Sequence, residues 1–275
     1  LTKVEAREAM DRITPVCEKI PLREGDLVIE AIVERIGAKR SLFAELDGRA
    51  PEGVPFATNT SSLSVDSMSV AMKNRGRLGG LHFFNPVHRM ELIEVIRAEH
   101  TDPAVTQALL DFVRRIGKRA VLCKDSPGFL VNRILVPYLV EAAILWENGH
   151  RTEEIDRAML DFGMPMGPLR LLDEIGLDVS AHVANELKFR LPRLGTPPKL
   201  LEQMVERQFL GRKAGSGFYL YGGKKGDKLK VNEEANDLRE RVKPERMSRG
   251  EMVERMTLVM LNESARCLEE GVVEN

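Results

Sequence analysis

His82 and Glu94 are the side chains best suited to carry chemistry in this chain of 275 residues. His82 lies in RLGGLHFFNPVHRM, at the end of an apolar run and just before Asn85-Pro86. Glu94 follows twelve residues later within MELIEVI, a carboxylate between Ile93 and Val95 where ionisation needs a partner. If the two runs are neighbouring strands, Glu94 can accept the ring N–H of His82, fix its tautomer and stabilise the imidazolium, which is the wiring of a general base. Spacing alone equally allows an ordinary core histidine and a water-facing carboxylate on an edge strand.

Other polar groups fall at suggestive places. NTSS at 59–62 puts an amide and three hydroxyls at a strand-to-helix turn, where α/β sheets keep their ligands. Asn132 is polar within an apolar helical stretch and should face another polar group or a substrate. Glu34 and Lys39 lie just beyond LVIEAI, near where a nucleotide lies in such a fold, and on their own read as a solvated helix start. A G-x-G-x-x-G turn is absent; the only GxG is Gly215-Ser216-Gly217.

These residues must be positioned by elements that the sequence also indicates. Residues 1–124 alternate short apolar runs with amphipathic stretches, the pattern of an α/β domain with a mainly parallel sheet. LVIEAI, VPFATNT, RLGGLHFFNP, MELIEVI and RAVLC (119–123) read as strands, with helices expected over 38–47 and 103–116 and a helix N-cap at Ser61-Ser62. Residues 125–222 read as an all-helical second domain. Its first helix is expected to be capped by Asp125 or Ser126, with Pro127 at an early position and Gly149 at its end, and to be buried on most sides. Further helices are expected at 152–162, 177–190 and 198–208, and the polar, Gly/Lys-rich 223–249 as a linker.

Composition narrows the function class. With 41 Lys+Arg against 42 Asp+Glu and no basic cluster, nothing favours a nucleic-acid or membrane-surface partner. No apolar run is long enough for a membrane span, and the opening LTKVEAREAMDRI is charged rather than signal-like. Cys17, Cys123 and Cys267 are far apart without metal-ligand spacing, which points to reduced thiols in an intracellular protein and to no metal site.

An internal repeat is visible. Arg133 opens RILVPYLVEAAILWENG and Arg255 opens RMTLVMLNESARCLEEG; each reaches a glycine sixteen residues on, with Glu141, Ala143 and Glu147 matching Glu263, Ala265 and Glu269. Two amphipathic helices can share a few positions, but the pattern also fits a duplicated helical domain whose second copy begins at 250–275.

The runs NTSSLSVDS, GLHFFNPVHRMELIEVI, DSPGFLVNRILVPYLVEA, FGMPMGPLRLLDEIGLD and GRKAGSGFYLY together resemble the L-3-hydroxyacyl-CoA dehydrogenase family. HRM after HFFNPV, the Lys-rich linker and RMTLVMLNESARCLEEGVV resemble its multifunctional fatty-acid oxidation members, which carry a duplicated helical domain and an upstream enoyl-CoA hydratase/isomerase domain. The resemblance implies a partial Rossmann-type NAD-binding domain followed by a helical domain, and NAD-dependent oxidation of L-3-hydroxyacyl-CoA to 3-oxoacyl-CoA. It implies His82 as catalytic base, Glu94 as its orienting partner, and Ser61 and Asn132 as holders of the substrate oxygen. Ile32, Val33, Glu34, Lys39, Asn85 and Lys213 would contact NAD. Acyl-CoA as substrate, a homodimer or a thiolase subunit as partner, and a bacterial cytoplasm or else a mitochondrial matrix follow from the same likeness. The family's first strand, glycine-rich turn and ribose-binding acid precede the segment resembling LTKVEAREAMDRITP. The sequence therefore reads as a fragment with an exposed apolar sheet edge, and a catalytically silent acyl-CoA- or subunit-binding role is the alternative.

Overall fold

The computed structural model describes residues 2–17, 22, 25–194, 196–223, 229–239 and 247–274. Helix α1 (Lys3–Met10) starts with a capping box between Thr2 and Glu5 and buries none of its residues. A sheet follows, built from β1 (Val28–Glu30), β2 (Phe56–Thr58), β3 (Leu78–Phe83), β4 (Leu92–Arg97) and β5 (Arg119–Lys124) in that spatial order. All neighbouring strands are parallel except β3 and β4, which run antiparallel. That reversal sets His82 directly opposite Glu94.

Alternation along the strands loads both faces of the sheet. Phe56, Leu78 and Ile96 pack with Phe43 of α2 (Ile36–Arg49) and Val65 and Met68 of α3 (Val65–Ser69). Ala57, Leu81, Ile93 and Val95 pack on the other face with Val105, Leu109 and Val113 of α4 (Pro103–Arg115). This is the doubly wound arrangement the alternating sequence implies. β1 lies at one edge of the sheet, and Ile29, Ile32 and Val33 stay 41%, 43% and 57% exposed there. The N-cap of α3 is Ser64, whose Oγ accepts from Ser67 N at 3.1 Å, and not Ser61-Ser62, because the chain first folds back on Thr60 Oγ1 through Leu63 N.

The second part is helical: α5 (Val131–Glu147), α6 (Thr152–Phe162), α7 (Pro168–Ile175), α8 (Leu177–Arg190) and α9 (Lys199–Glu206) surround a core of Tyr138, Leu145, Trp146, Met159, Leu172, Met204 and Phe218. α5 does not begin at Asp125 or Ser126. Gly128 (φ 73) and Phe129 (φ 52) are both left-handed, so the chain cannot turn helically until Val131. Asp125 instead caps a different helix: its Oδ2 accepts from Ser64 Oγ and Asp66 N, both at 2.8 Å.

The region 125–222 is not all-helical, and part of the stretch read as a linker is regular structure: β6 (Tyr219–Leu220) pairs antiparallel with β7 (Lys230–Val231), which lets 219–220 end the helical part as a strand, and the short α10 (Glu233–Asn236) buries Ala235. Residues 224–228 and 240–246 of that stretch lie outside the described residues.

The repeat is a packing relation as well as a sequence pattern. Helix α11 (Arg249–Glu269) packs along α5. Arg133 pairs with Glu263, and Arg255 pairs with Glu141, so the matching positions of the two helices exchange the same ion pair. The relation is incomplete on the outer side: Leu139 and Trp146 are buried, whereas their counterparts Leu261 and Leu268 are 64% and 53% exposed.

Candidate active site

His82 is the last residue but one of β3 and Glu94 sits within β4, an interior strand, so the edge-strand alternative for Glu94 does not apply. Their side chains meet at 2.6 Å between Nδ1 and Oε2, with His82 3% and Glu94 0% exposed. Phe84 and Phe129 flank the imidazole, with ring centroids 4.5 and 5.7 Å away. The carboxylate's other oxygen is also engaged. Glu94 Oε1 accepts from Leu130 N and Val131 N, both at 2.9 Å, at the first turn of α5. Helix N-terminal amides lack intrahelical partners and favour a negative charge, so this turn stabilises the ionised carboxylate where no water reaches it. The two left-handed residues Gly128 and Phe129 aim those amides, and Gly128 leaves no room for a Cβ, which would stand 2.8 Å from Leu187.

A second polar network approaches from β1. Lys39 is 1% exposed, and its Nζ lies 2.7 and 2.9 Å from the two oxygens of Glu30 and 3.2 Å from Glu34. Thr58 Oγ1 and Ile32 N donate to Glu30 as well, each at 2.6 Å. Lys39 is therefore a buried counter-ion rather than part of a solvated helix start, and its ammonium is taken up by carboxylates. Glu34 Oε1 in turn accepts from Thr60 Oγ1 and, at 3.1 Å, from Ser61 N. Ser61 passes the link on: its carbonyl accepts from Asn132 Nδ2 at 3.0 Å, across the boundary between the two parts of the chain.

Ser61, Asn132, Glu34, His82 and Glu94 are thus joined through the ends of β1–β3 and the start of α5. Ile32 and Val33 form an exposed apolar ledge beyond β1, and Asn85 is exposed at a cis Asn85–Pro86 bond beyond His82. Lys213 is not drawn into this network; it is exposed on the helical part and pairs with Asp178 at 2.5 Å. Outside the site, His100 and Asp66 form an exposed pair at 2.7 Å beside Glu99, with Arg75 already on Asp66.

Several site residues escaped the sequence reading. Glu30, the hub under Lys39, carries the signal that marks Glu94, a carboxylate inside an apolar run. Asn59, the amide of the NTSS motif, ties β2 to β3: its Oδ1 accepts from Phe83 N at 3.0 Å. No pattern in the sequence marks the Leu130 and Val131 amides, and the repeat marks Arg133 only as the match of Arg255.

Residues 1–126 match the family profile described as 3-hydroxyacyl-CoA dehydrogenase, NAD binding domain, and residues 128–221 match its C-terminal domain. A protein of Caenorhabditis elegans named probable 3-hydroxyacyl-CoA dehydrogenase is 45% identical over 219 residues, 77% of this chain and 70% of that one. The chain belongs to the 3-hydroxyacyl-CoA dehydrogenase family. Similarity to the fatty acid oxidation complex subunit alpha of Shewanella amazonensis runs further, at 37% identity over 99% of the chain, which spans 39% of that subunit's length. Among solved structures, 3-hydroxybutyryl-CoA dehydrogenase from Escherichia coli K12 superposes with a TM-score of 0.86 at 27% identity, covering 99% of this chain and 74% of that one. No described helix is long and apolar enough to cross a membrane.

Proposed function

We propose that the protein oxidises L-3-hydroxyacyl-CoA thioesters to 3-oxoacyl-CoA with NAD as the redox partner. The observation that carries this reading is the closed His82–Glu94 pair whose carboxylate is also held by the first amides of α5. With Nδ1 committed to Glu94, His82 keeps Nε2 as the atom that takes the proton from the 3-hydroxyl, and Glu94 stabilises the imidazolium that results. The Ser61 hydroxyl and the Asn132 amide are the neutral donors for the oxygen as it becomes a carbonyl. When bound, NAD⁺ accepts the hydride released at C3. Ile32 and Val33 would hold it through their apolar ledge, which suits a flat ring system, together with Glu34 and Asn85; the Lys39 ammonium acts from behind, by fixing Glu30 and Glu34. Lys213 enters only from the resemblance.

Similarity to a complex subunit along almost the whole chain supports a place in fatty-acid β-oxidation within a larger assembly. A thiolase subunit is the partner class whose chemistry consumes a 3-oxoacyl-CoA. A bacterial cytoplasm is the setting that accords with that likeness.

A second reading, a piece that binds acyl-CoA or another subunit without turnover, has one feature in its favour: the exposed apolar edge at Ile29, Ile32 and Val33. The two separate in one assay. Purified protein is given NADH and acetoacetyl-CoA, with NADH oxidation followed by absorbance and NADH binding by fluorescence. Turnover supports the dehydrogenase; folded protein that binds neither NADH nor shows turnover supports the silent reading.

A further inference from the structure

Arg133 is a fully buried cation that the reaction itself does not use. It directly follows Asn132 and stands two residues beyond the Val131 amide that holds Glu94. Its guanidinium donates to Ser126 Oγ at 3.1 Å, at the start of the turn that carries Phe129 against His82. Its remaining bonds go to the far end of α11: Glu263 at 3.1 Å and Glu270 at 2.5 Å. Arg193 reaches the same two carboxylates at 3.2 Å, and Arg266 stands 3.7 Å from Glu263. The Arg133 bond holds the Glu270 carboxyl below the ordinary range. Just beyond, Cys267 and Val272 enter the same buried cluster as Phe129 and Cys123, and Lys124 N donates to Val272 O at 2.8 Å.

The end of α11 therefore grips the α5 N-terminus and the turn before it through Arg133, Cys267 and Val272. A buried guanidinium that loses its partners is left as an uncompensated charge, so this short segment must shift if the acids are neutralised. We propose that Glu263 and Glu270 are positioning residues for the reaction at His82: by clamping Arg133 they hold the α5 N-terminus where its amides meet Glu94 and where Asn132 meets Ser61. The inference rests on the dehydrogenase reading and adds a role for the second repeat helix in the site of the first.

The repeat supplies an internal control. Arg255–Glu141 is the matching ion pair on the same two helices, but Glu141 lies more than two turns along α5 from the amides on Glu94. Glu141→Gln weakens helix docking alone. The test compares Glu263→Gln/Glu270→Gln with Glu141→Gln by two readouts. In acetoacetyl-CoA reduction, the double variant is expected to lose tenfold or more in kcat with KM for NADH within twofold of wild type, while Glu141→Gln stays within twofold in both. In hydrogen exchange on the purified chain, the Leu130 and Val131 amides are expected to exchange at least tenfold faster in the double variant only. Equal losses in the two variants, or unchanged protection of these amides, overturn the clamp. If wild-type protein shows no turnover, the dehydrogenase reading falls and amide exchange alone decides the clamp. Glu270→Gln by itself, at a side chain 43% exposed, serves where the double variant does not fold.

Discussion

The His82 ring is committed at one nitrogen and, among the described residues, unpaired at the other, and the commitment is enforced twice. Glu94 has one oxygen on Nδ1 and the other on two amides that can only donate. Glu94→Gln tests this wiring. A carboxamide has one acceptor and one donor end. With its oxygen kept on the amides of Leu130 and Val131, its NH₂ must donate to Nδ1, which moves the ring proton to Nε2 and removes the base. NAD⁺-dependent oxidation of 3-hydroxybutyryl-CoA, the direction that needs the base, is expected to slow about 10²–10⁴-fold with little change in the melting midpoint. His82→Gln is expected to lower kcat by a similar factor while acyl-CoA affinity, measured by calorimetry, stays near wild type. Unchanged turnover in His82→Gln would remove it from the mechanism.

At the scale of elements, the turn between β5 and α5 carries the largest constraint. Gly128 is left-handed, and a Cβ there would approach Leu187 at 2.8 Å and Arg133 N at 3.2 Å. Gly128→Ala therefore meets both a backbone penalty and a contact with the helical part. It is expected to cost about 1–3 kcal/mol in urea unfolding and to lower kcat more than the lost stability accounts for. Activity that simply tracks the folded fraction would separate this turn from the site. None of this geometry is legible in the sequence, where Ser126-Pro127 imitates a helix start. The strands fared better, because apolar runs bounded by turns have few other solutions, and the His82–Glu94 pairing follows once β3 and β4 are neighbours. Helices α6 and α8 match their expected spans, since Gly149, Gly163 and Gly176 punctuate them. Helix α7, eight residues between two glycines, was too short to separate from the turns around it. The burial of Lys39 is not legible because sequence spacing does not distinguish a surface charge from one paired with Glu30, nine positions earlier in β1.

On the scale of the whole molecule, the site lies at a junction whose helical side is held by two buried carboxylates. Asp156 on α6 accepts from Leu169 N at 2.8 Å, Arg170 N at 3.2 Å and Tyr219 Oη at 2.7 Å. Asp173 on α7 accepts from Phe218 N, Tyr219 N and Tyr221 Oη, all at 2.9 Å. Together they tie α6, α7 and β6 into the core beneath α5. Burial pushes the carboxyl of Asp156 up to about 6 and that of Asp173 up to about 7, against the donors that would lower them. Burial also keeps the phenols of Tyr219 and Tyr221 protonated as donors. A carboxyl whose folded value is raised binds its proton more tightly in the folded state. The stability these two groups confer is complete below their unfolded range near pH 4 and is lost as pH rises through about 6 and 7. Burial of His150 lowers its pKa and acts in the opposite sense over an overlapping range, so bulk melting curves would mix the two. Carboxyl ¹³C titration of the folded chain resolves them: midpoints near 6 and 7 for Asp156 and Asp173 are expected, and midpoints near 4 would mean that the hydrogen bonds outweigh burial. Asp173→Asn, whose NH₂ end cannot accept the bonds that Phe218, Tyr219 and Tyr221 share between two oxygens, is expected to cost about 1–3 kcal/mol even at pH 5, where charge no longer matters.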